Sequence, residues 1–342
     1  MRRALFLIAS VMVSALFLWL ALRDVTPEIR QQIVDSIRQA DMGWIIISLI
    51  FITGGLWTRA IRWRGLLDNR VPTMQAFHML NVAMLINQLP LRAGEVARSA
   101  LVTRSGVSFV TAVTSILVER LLDVLLVVIW LSLALTQLPD VPPEMSNAAL
   151  LFGAAGVVAM ILLLVFARRP ELPRSILKFL EGILPVLKRL PLNSLMESVL
   201  EGIKPMAHWR GAAHAIGWTV ISWTLSLCTF YCLARAIGAD EHLFLMTVLS
   251  ITLASFAIAI PVSVASIGPF EGAVRLSGDA LGLSAALSLP LGFLFHGITV
   301  LGYAIWGTIG LVALGVSLSD VMKSSAPTED TPAEPSASVA VK

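Results

Sequence analysis

The chain has 342 residues, 57% of them hydrophobic and 14% charged, with a mean hydropathy of +0.83. Soluble domains carry about 45–50% apolar and about 25% charged residues, so composition excludes a water-soluble globule and predicts an all-α polytopic membrane protein. The period-two alternation of a membrane β-barrel is absent. A net charge of +3 is too small to argue for a nucleic-acid partner. Cys228 and Cys232 stand four apart in one apolar run and predict packing, with no disulfide framework or metal site.

Arg2 and Arg3 precede an apolar run over 4–22. It is longer than a signal-peptide core and lacks a small-residue cleavage site, which predicts an uncleaved first helix. In 26–41, Ile29, Ile33 and Ile37 recur every fourth residue behind Pro27, the pattern of an amphipathic helix on a membrane surface. A span follows over about 43–61. It runs into a basic cluster (Arg59, Arg62, Arg64, Arg70), with Trp57 and Trp63 placed for an interfacial belt. The apolar run 73–89 stops at Pro90, and the next segment carries Arg92, Glu95 and Arg98. A long apolar helix is expected over 107–135 and another over 148–167, the latter ending in Arg168 and Arg169.

Residues 168–210 hold eight Lys/Arg against four Glu, divided by Pro173, Pro185, Pro191 and Pro205. They predict short amphipathic helices on the cytoplasmic face, against anionic lipid heads or as ordinary positive-inside charge. A span over 211–237 leads to the acidic turn at Asp240 and Glu241. The run 243–260 breaks at Pro261, and a last long helix covers 284–316 with His296 near its middle. Residues 1–318 form one membrane domain. The Ser/Pro/Ala/Glu-rich tail 319–342 is expected to be disordered.

Basic residues after the second and fifth runs place the N-terminus, 59–73 and 168–210 in the cytoplasm. The count then requires 73–106 and 243–283 to enter and leave on the same side. The expected architecture is about six full transmembrane helices plus two re-entrant broken-helix hairpins. PLRAGEVAR at 90–98 lies beside PFEGAVR at 269–275, and Gly106 and Gly282 open the helices that follow. Glu119-Arg120 and Phe295-His296 come at matching distances beyond them, so the hairpins predict an inverted repeat with its site at the repeat interface.

Chemistry concentrates on these units. A charged side chain at mid-bilayer costs at least about 2.5–3.5 kcal/mol, so Glu119, Arg120 and Asp123 need partners or a task. The candidate substrate-binding residues are Arg92, Glu95, Arg98, Glu119, Arg120, Asp123, Glu271, Arg275 and His296. Arginine's planar fork suits phosphate oxygens, and the equal number of acids makes a neutral, dipolar cavity. The same residues would also serve as a self-neutralising structural lock. Pro90, Gly94, Gly268, Pro269 and Gly272 are candidate hinges. His296 is read either as a proton carrier or as a packed, hydrogen-bonded histidine. No phosphate-binding glycine loop, nucleophile elbow or HExxH occurs, and no cofactor or metal is expected.

LPLRAGEVARS at 89–99, VERLLDVL at 118–125 and SIGPFEGAVR at 266–275 resemble the lysylphosphatidylglycerol synthase transmembrane family over roughly 45–318. The resemblance implies lipid translocation, with membrane lipids as partners and the charged residues above, from Arg92 to Arg275, as motif positions. It implies a multi-pass transporter of the cytoplasmic (inner) membrane rather than an enzyme that makes lysyl-lipid itself, since these residues leave no room for the family's soluble aminoacyl-transfer domain. The alternatives are a non-transporting partner of a lipid-modifying enzyme and a lipid head-group transferase with Glu119 or Asp123 as base.

Overall fold

Inside a bilayer every backbone N–H and C=O must be satisfied within the protein, and runs this apolar do so as helices. The structure, a computed structural model, describes residues 2–89, 93–138, 143–184, 192–259 and 265–324. Among them are fourteen α-helices and no strand. They are α1 (Arg2–Leu22), α2 (Pro27–Arg38), α3 (Met42–Leu66), α4 (Thr73–Ile86), α5 (Gly94–Thr103), α6 (Phe109–Leu135) and α7 (Pro143–Arg168). The second half holds α8 (Glu171–Ile183), α9 (Leu192–Ile203), α10 (Trp209–Ala236), α11 (Leu243–Ala259), α12 (Pro269–Ala280), α13 (Ala285–Leu314) and α14 (Leu318–Ser324).

Caps set several boundaries. Thr26, Asp41 and Ser108 accept backbone N–H groups at the starts of α2, α3 and α6, and α13 ends on left-handed Gly315. By length and apolarity α3, α10 and α13 each suffice to cross a membrane. The bent pairs α1/α2 (103°) and α7/α8 (100°) raise the number of candidate spans among the described residues to five. The expected count of six is therefore not reached on this criterion. The helix α6 is about 40 Å long at 1.5 Å per residue, enough to cross, but it carries three charges.

Short helix, break, short helix, long helix occurs twice: α4–α5–α6 and α11–α12–α13. At about 21 Å and 15 Å, α4 and α5 are each too short to span a hydrocarbon core of about 30 Å. Left-handed Gly106 (φ 77°) and Gly282 (φ 71°) end the two short second helices, and Ser108 and Ser284 precede the long ones. Contacts cross between the units. The helix α3 packs along α10, α4 against α13, and α11 against α6.

Small residues permit the close approaches. A Cβ at Gly307 of α13 would lie 2.4 Å from the Leu85 Cβ of α4, and one at Gly310 would lie 2.8 Å from the His78 carbonyl. At Gly94 it would lie 2.1 Å from the Ala83 carbonyl, and the Gly94 N–H donates to Asn87 Oδ1 at 2.9 Å. Gly94 thus closes α5 onto α4. Gly268 has φ 92° and meets α1, where a Cβ would stand 2.4 Å from the Ser14 carbonyl. Pro269 is buried at the first turn of α12, where its missing N–H costs nothing.

Gly272 departs from the expected hinge role: it lies inside α12 with open space where a Cβ would go. Gly268→Ala should therefore lower stability by more than about 1 kcal/mol through its backbone conformation alone. Gly272→Ala should raise it by up to about 1 kcal/mol through helix propensity. Thermal unfolding of the two variants in detergent checks the contrast.

Other expectations change in detail. The first residues of the tail expected to be disordered form α14, which packs on α5. Residues 325–342, Pro90, Arg92 and Pro261 lie outside the described residues. Trp63 is not interfacial: it is fully buried and donates from Nε1 to Ser115 Oγ at 3.0 Å.

Candidate functional site

The buried face of α6 includes Ala112, Ser115, Val118, Glu119, Leu122 and Leu125, a stripe at helical spacing. Glu119 falls on that stripe and Asp123 one turn further, so the helix that buries its apolar side carries two carboxylates inward with it. Each finds arginines. Glu119 Oε2 accepts from Arg98 Nη2 of α5 at 2.6 Å, and Oε1 from Arg62 Nε of α3 at 3.3 Å. Asp123 takes both Arg62 Nη1 at 2.6 Å and Nη2 at 3.3 Å, and Oδ1 also accepts from Trp223 Nε1 of α10 at 3.0 Å. Arg62 Nη1 further donates to Thr219 Oγ1 at 3.0 Å.

Glu119, Arg98 and Arg62 are 1%, 0% and 2% exposed. Charges buried this deeply persist only when paired with good geometry, and the guanidinium of Arg98 also lies 4.5 Å from the Trp63 ring. Towards the interior surface the network opens. Glu95 of α5 accepts from Arg120 Nη2 at 2.7 Å and from Arg98 Nη2 at 3.2 Å. Arg120 Nη1 lies 3.6 Å from Asp123 Oδ2. The Arg120 side chain remains 46% exposed, so several of its five N–H donors are unengaged. Three arginines face three carboxylates, and the network is neutral as a whole.

Arg120, Glu95 and Asp123 form one wall of a cavity of about 460 Å³. Arg59, Asn87 and Gln88 add polar groups to it, while Leu56, Val127, Ile251, Phe256 and Phe295 make its apolar sides. His296 of α13 also lines it, backed by Glu271 of α12, whose Oε1 is 2.6 Å from His296 Nδ1. The cavity thus touches both short-long units. Its volume falls within the roughly 300–1,000 Å³ of small-ligand sites.

The predicted residues separate on this geometry. Glu95, Arg120, Asp123 and His296 line the cavity, whereas Arg98, Glu119 and Glu271 support it from behind. Arg275 does not join them: it pairs with Asp279 along α12 at 2.7 Å, away from the cavity. Arg62 belongs to the network rather than to a surface basic cluster. Its signal was present, because Ser48, Ile52, Gly55, Arg62 and Leu66 recur at helical spacing on the buried stripe of α3. Trp223 and Thr219 carried no comparable signal. Among the described residues no cluster of His, Cys, Asp and Glu has the arrangement to hold a metal ion.

The family model for the lysylphosphatidylglycerol synthase TM region matches residues 7–307. No curated protein and no solved structure matches the chain. With helices able to span a membrane and a family match over most of its length, the chain is a multi-pass membrane protein. It belongs to the lysylphosphatidylglycerol synthase transmembrane-region family, which is linked to lipid biosynthesis or transport.

Proposed function

We propose that the protein moves an amphiphilic, phosphate-bearing lipid across the cytoplasmic membrane, with the head group in the cavity and the tails in the bilayer. The observation that carries this reading is the cavity itself, where an arginine with free donors stands among apolar walls between two broken-helix units. A guanidinium suits phosphate oxygens, and Glu95 and Asp123 are placed to meet a cationic part of a zwitterionic head group.

The two units read as an inverted repeat. Exchanging α3 with α10, α4 with α11 and α6 with α13 turns the α4/α13 contact into the α11/α6 contact. Each short second helix also carries a first-turn glutamate, Glu95 or Glu271, bonded to a side chain on its long helix. Such a plan supports alternating access around a fixed site. The basic 168–210 segment then faces the cytoplasm with both termini.

Purified protein in liposomes should translocate head-group-labelled phospholipids or a polyprenyl phosphate faster than empty liposomes, as read by loss of label accessibility. Rates equal to empty liposomes for every lipid class tested would sink the transport reading and favour a partner of a lipid-modifying enzyme.

A further inference from the structure

Glu271 and His296 are tied to the turn that begins α12. Glu271 Oε2 accepts the Gly268 N–H at 2.7 Å, and His296 Nε2 lies 2.9 Å from the Ala265 carbonyl oxygen. That turn holds Ala265 (φ 49°), Ser266 (φ 64°) and Gly268 (φ 92°) in the left-handed region, which costs about 1–3 kcal/mol for a non-glycine residue. The two side chains therefore hold a strained turn in place from both ends.

The same contacts count protons. A carbonyl oxygen only accepts, so His296 Nε2 carries a hydrogen. The 2.6 Å contact between Nδ1 and Oε1 then contains one proton, on the carboxyl or on the imidazole. Without it, a lone pair would face a carboxylate oxygen. With it the pair is neutral, and without it the pair carries one negative charge. Glu271 is 2% exposed, and the Phe270 ring lies 4.9 Å from the imidazole, so little water is present to screen that charge.

His296 opens onto the cavity, where the other ionisable lining groups are Arg59 of α3, Glu95 of α5, Arg120 and Asp123 of α6, and Tyr303 of α13 itself. Glu95 and Asp123 each already hold arginines. The helices α4, α10 and α11 line the cavity with no titratable side chain, and Arg275 and Asp279 of α12 pair with each other outside it.

We propose that the Glu271–His296 pair is a proton-binding site that couples proton movement to lipid movement, the proton and an anionic head group binding together. This rests on the transport reading above. In the deprotonated pair a negative charge stands directly behind His296 at the cavity wall and opposes a phosphate, and the bond that joins the two side chains holding the Ala265–Gly268 turn is lost. Taking up a proton removes the charge, admits the phosphate and rejoins the two side chains that hold the turn. The proton is released with the head group on the other side of the membrane.

The test uses proteoliposomes with a labelled anionic lipid and an imposed pH gradient. One-to-one coupling shifts the steady-state lipid distribution towards the alkaline side by up to about tenfold per pH unit. A protonophore should abolish the shift. In Glu271→Gln the amide NH2 donates to Nδ1 and its carbonyl accepts the Gly268 N–H, so the protonated geometry is kept. This variant should show no gradient response. Translocation by the wild type that ignores the gradient overturns the coupling while leaving the transport reading intact. If the wild type translocates nothing, the transport reading fails, and infrared titration of the purified protein then judges the proton site alone. A pH-dependent carboxyl or imidazole band present in wild type and missing in Glu271→Gln upholds it, and the absence of both overturns it.

Discussion

Replacing Arg62 by alanine is expected to lower stability by about 3–5 kcal/mol, the cost of leaving buried charges without their partner. Arg62 serves both oxygens of Asp123, one oxygen of Glu119 and the hydroxyl of Thr219. Its loss leaves Asp123 with Trp223 and the longer Arg120 contact, and leaves Glu119 with Arg98 alone. Arg62→Lys should recover only part of the loss, since a single ammonium cannot reproduce a planar fork shared among three residues. Thermal or denaturant midpoints in detergent measure both. A midpoint unchanged within about 1 kcal/mol would mean that these charges behave as a solvated surface pair, which typically contributes that little.

Arg120→Ala should do the reverse. The Arg120 side chain is 46% exposed, and Glu95 and Asp123 each keep another arginine, so its removal should cost about 0–1 kcal/mol of stability. A charge-assisted hydrogen bond to a phosphate contributes about 1.5–3 kcal/mol. At tenfold per 1.4 kcal/mol, translocation should fall about ten- to hundredfold. Arg275→Ala, which removes a charge outside the cavity, should leave the rate unchanged and serves as the control. Equal effects from Arg120→Ala and Arg275→Ala would remove Arg120 from the substrate path.

The membrane class, the broken units and most of the polar network were legible because each left a local signal. Apolar runs of spanning length, Pro and Gly at the breaks, and charges inside an apolar run are visible without knowing which helices touch. Arg62 was harder to read, because a basic residue near the end of a span also fits a membrane interface. Only its position on the buried stripe of α3 distinguished the two. The role of Trp223 depends on α10 lying along α3 and α6, a contact a hundred residues distant in sequence from Asp123. Arg275 failed for the opposite reason. It shares a motif-like segment with Glu271, but at i+4 it turns to Asp279 and leaves the cavity. Gly268 and Gly272 look alike in sequence, and the left-handed backbone of Gly268 together with its neighbour α1 separates them.

The most direct measurement is to map where a phospholipid with a photoactivatable head group attaches to the purified, folded protein. Adducts on the cavity-lining stretches of α6 (120–127) and α13 (295–303), reduced in Arg120→Ala, are the result expected of a head-group site. Adducts confined to outward-facing positions such as Leu151 of α7 or Val312 of α13, with none in the cavity, would contradict it.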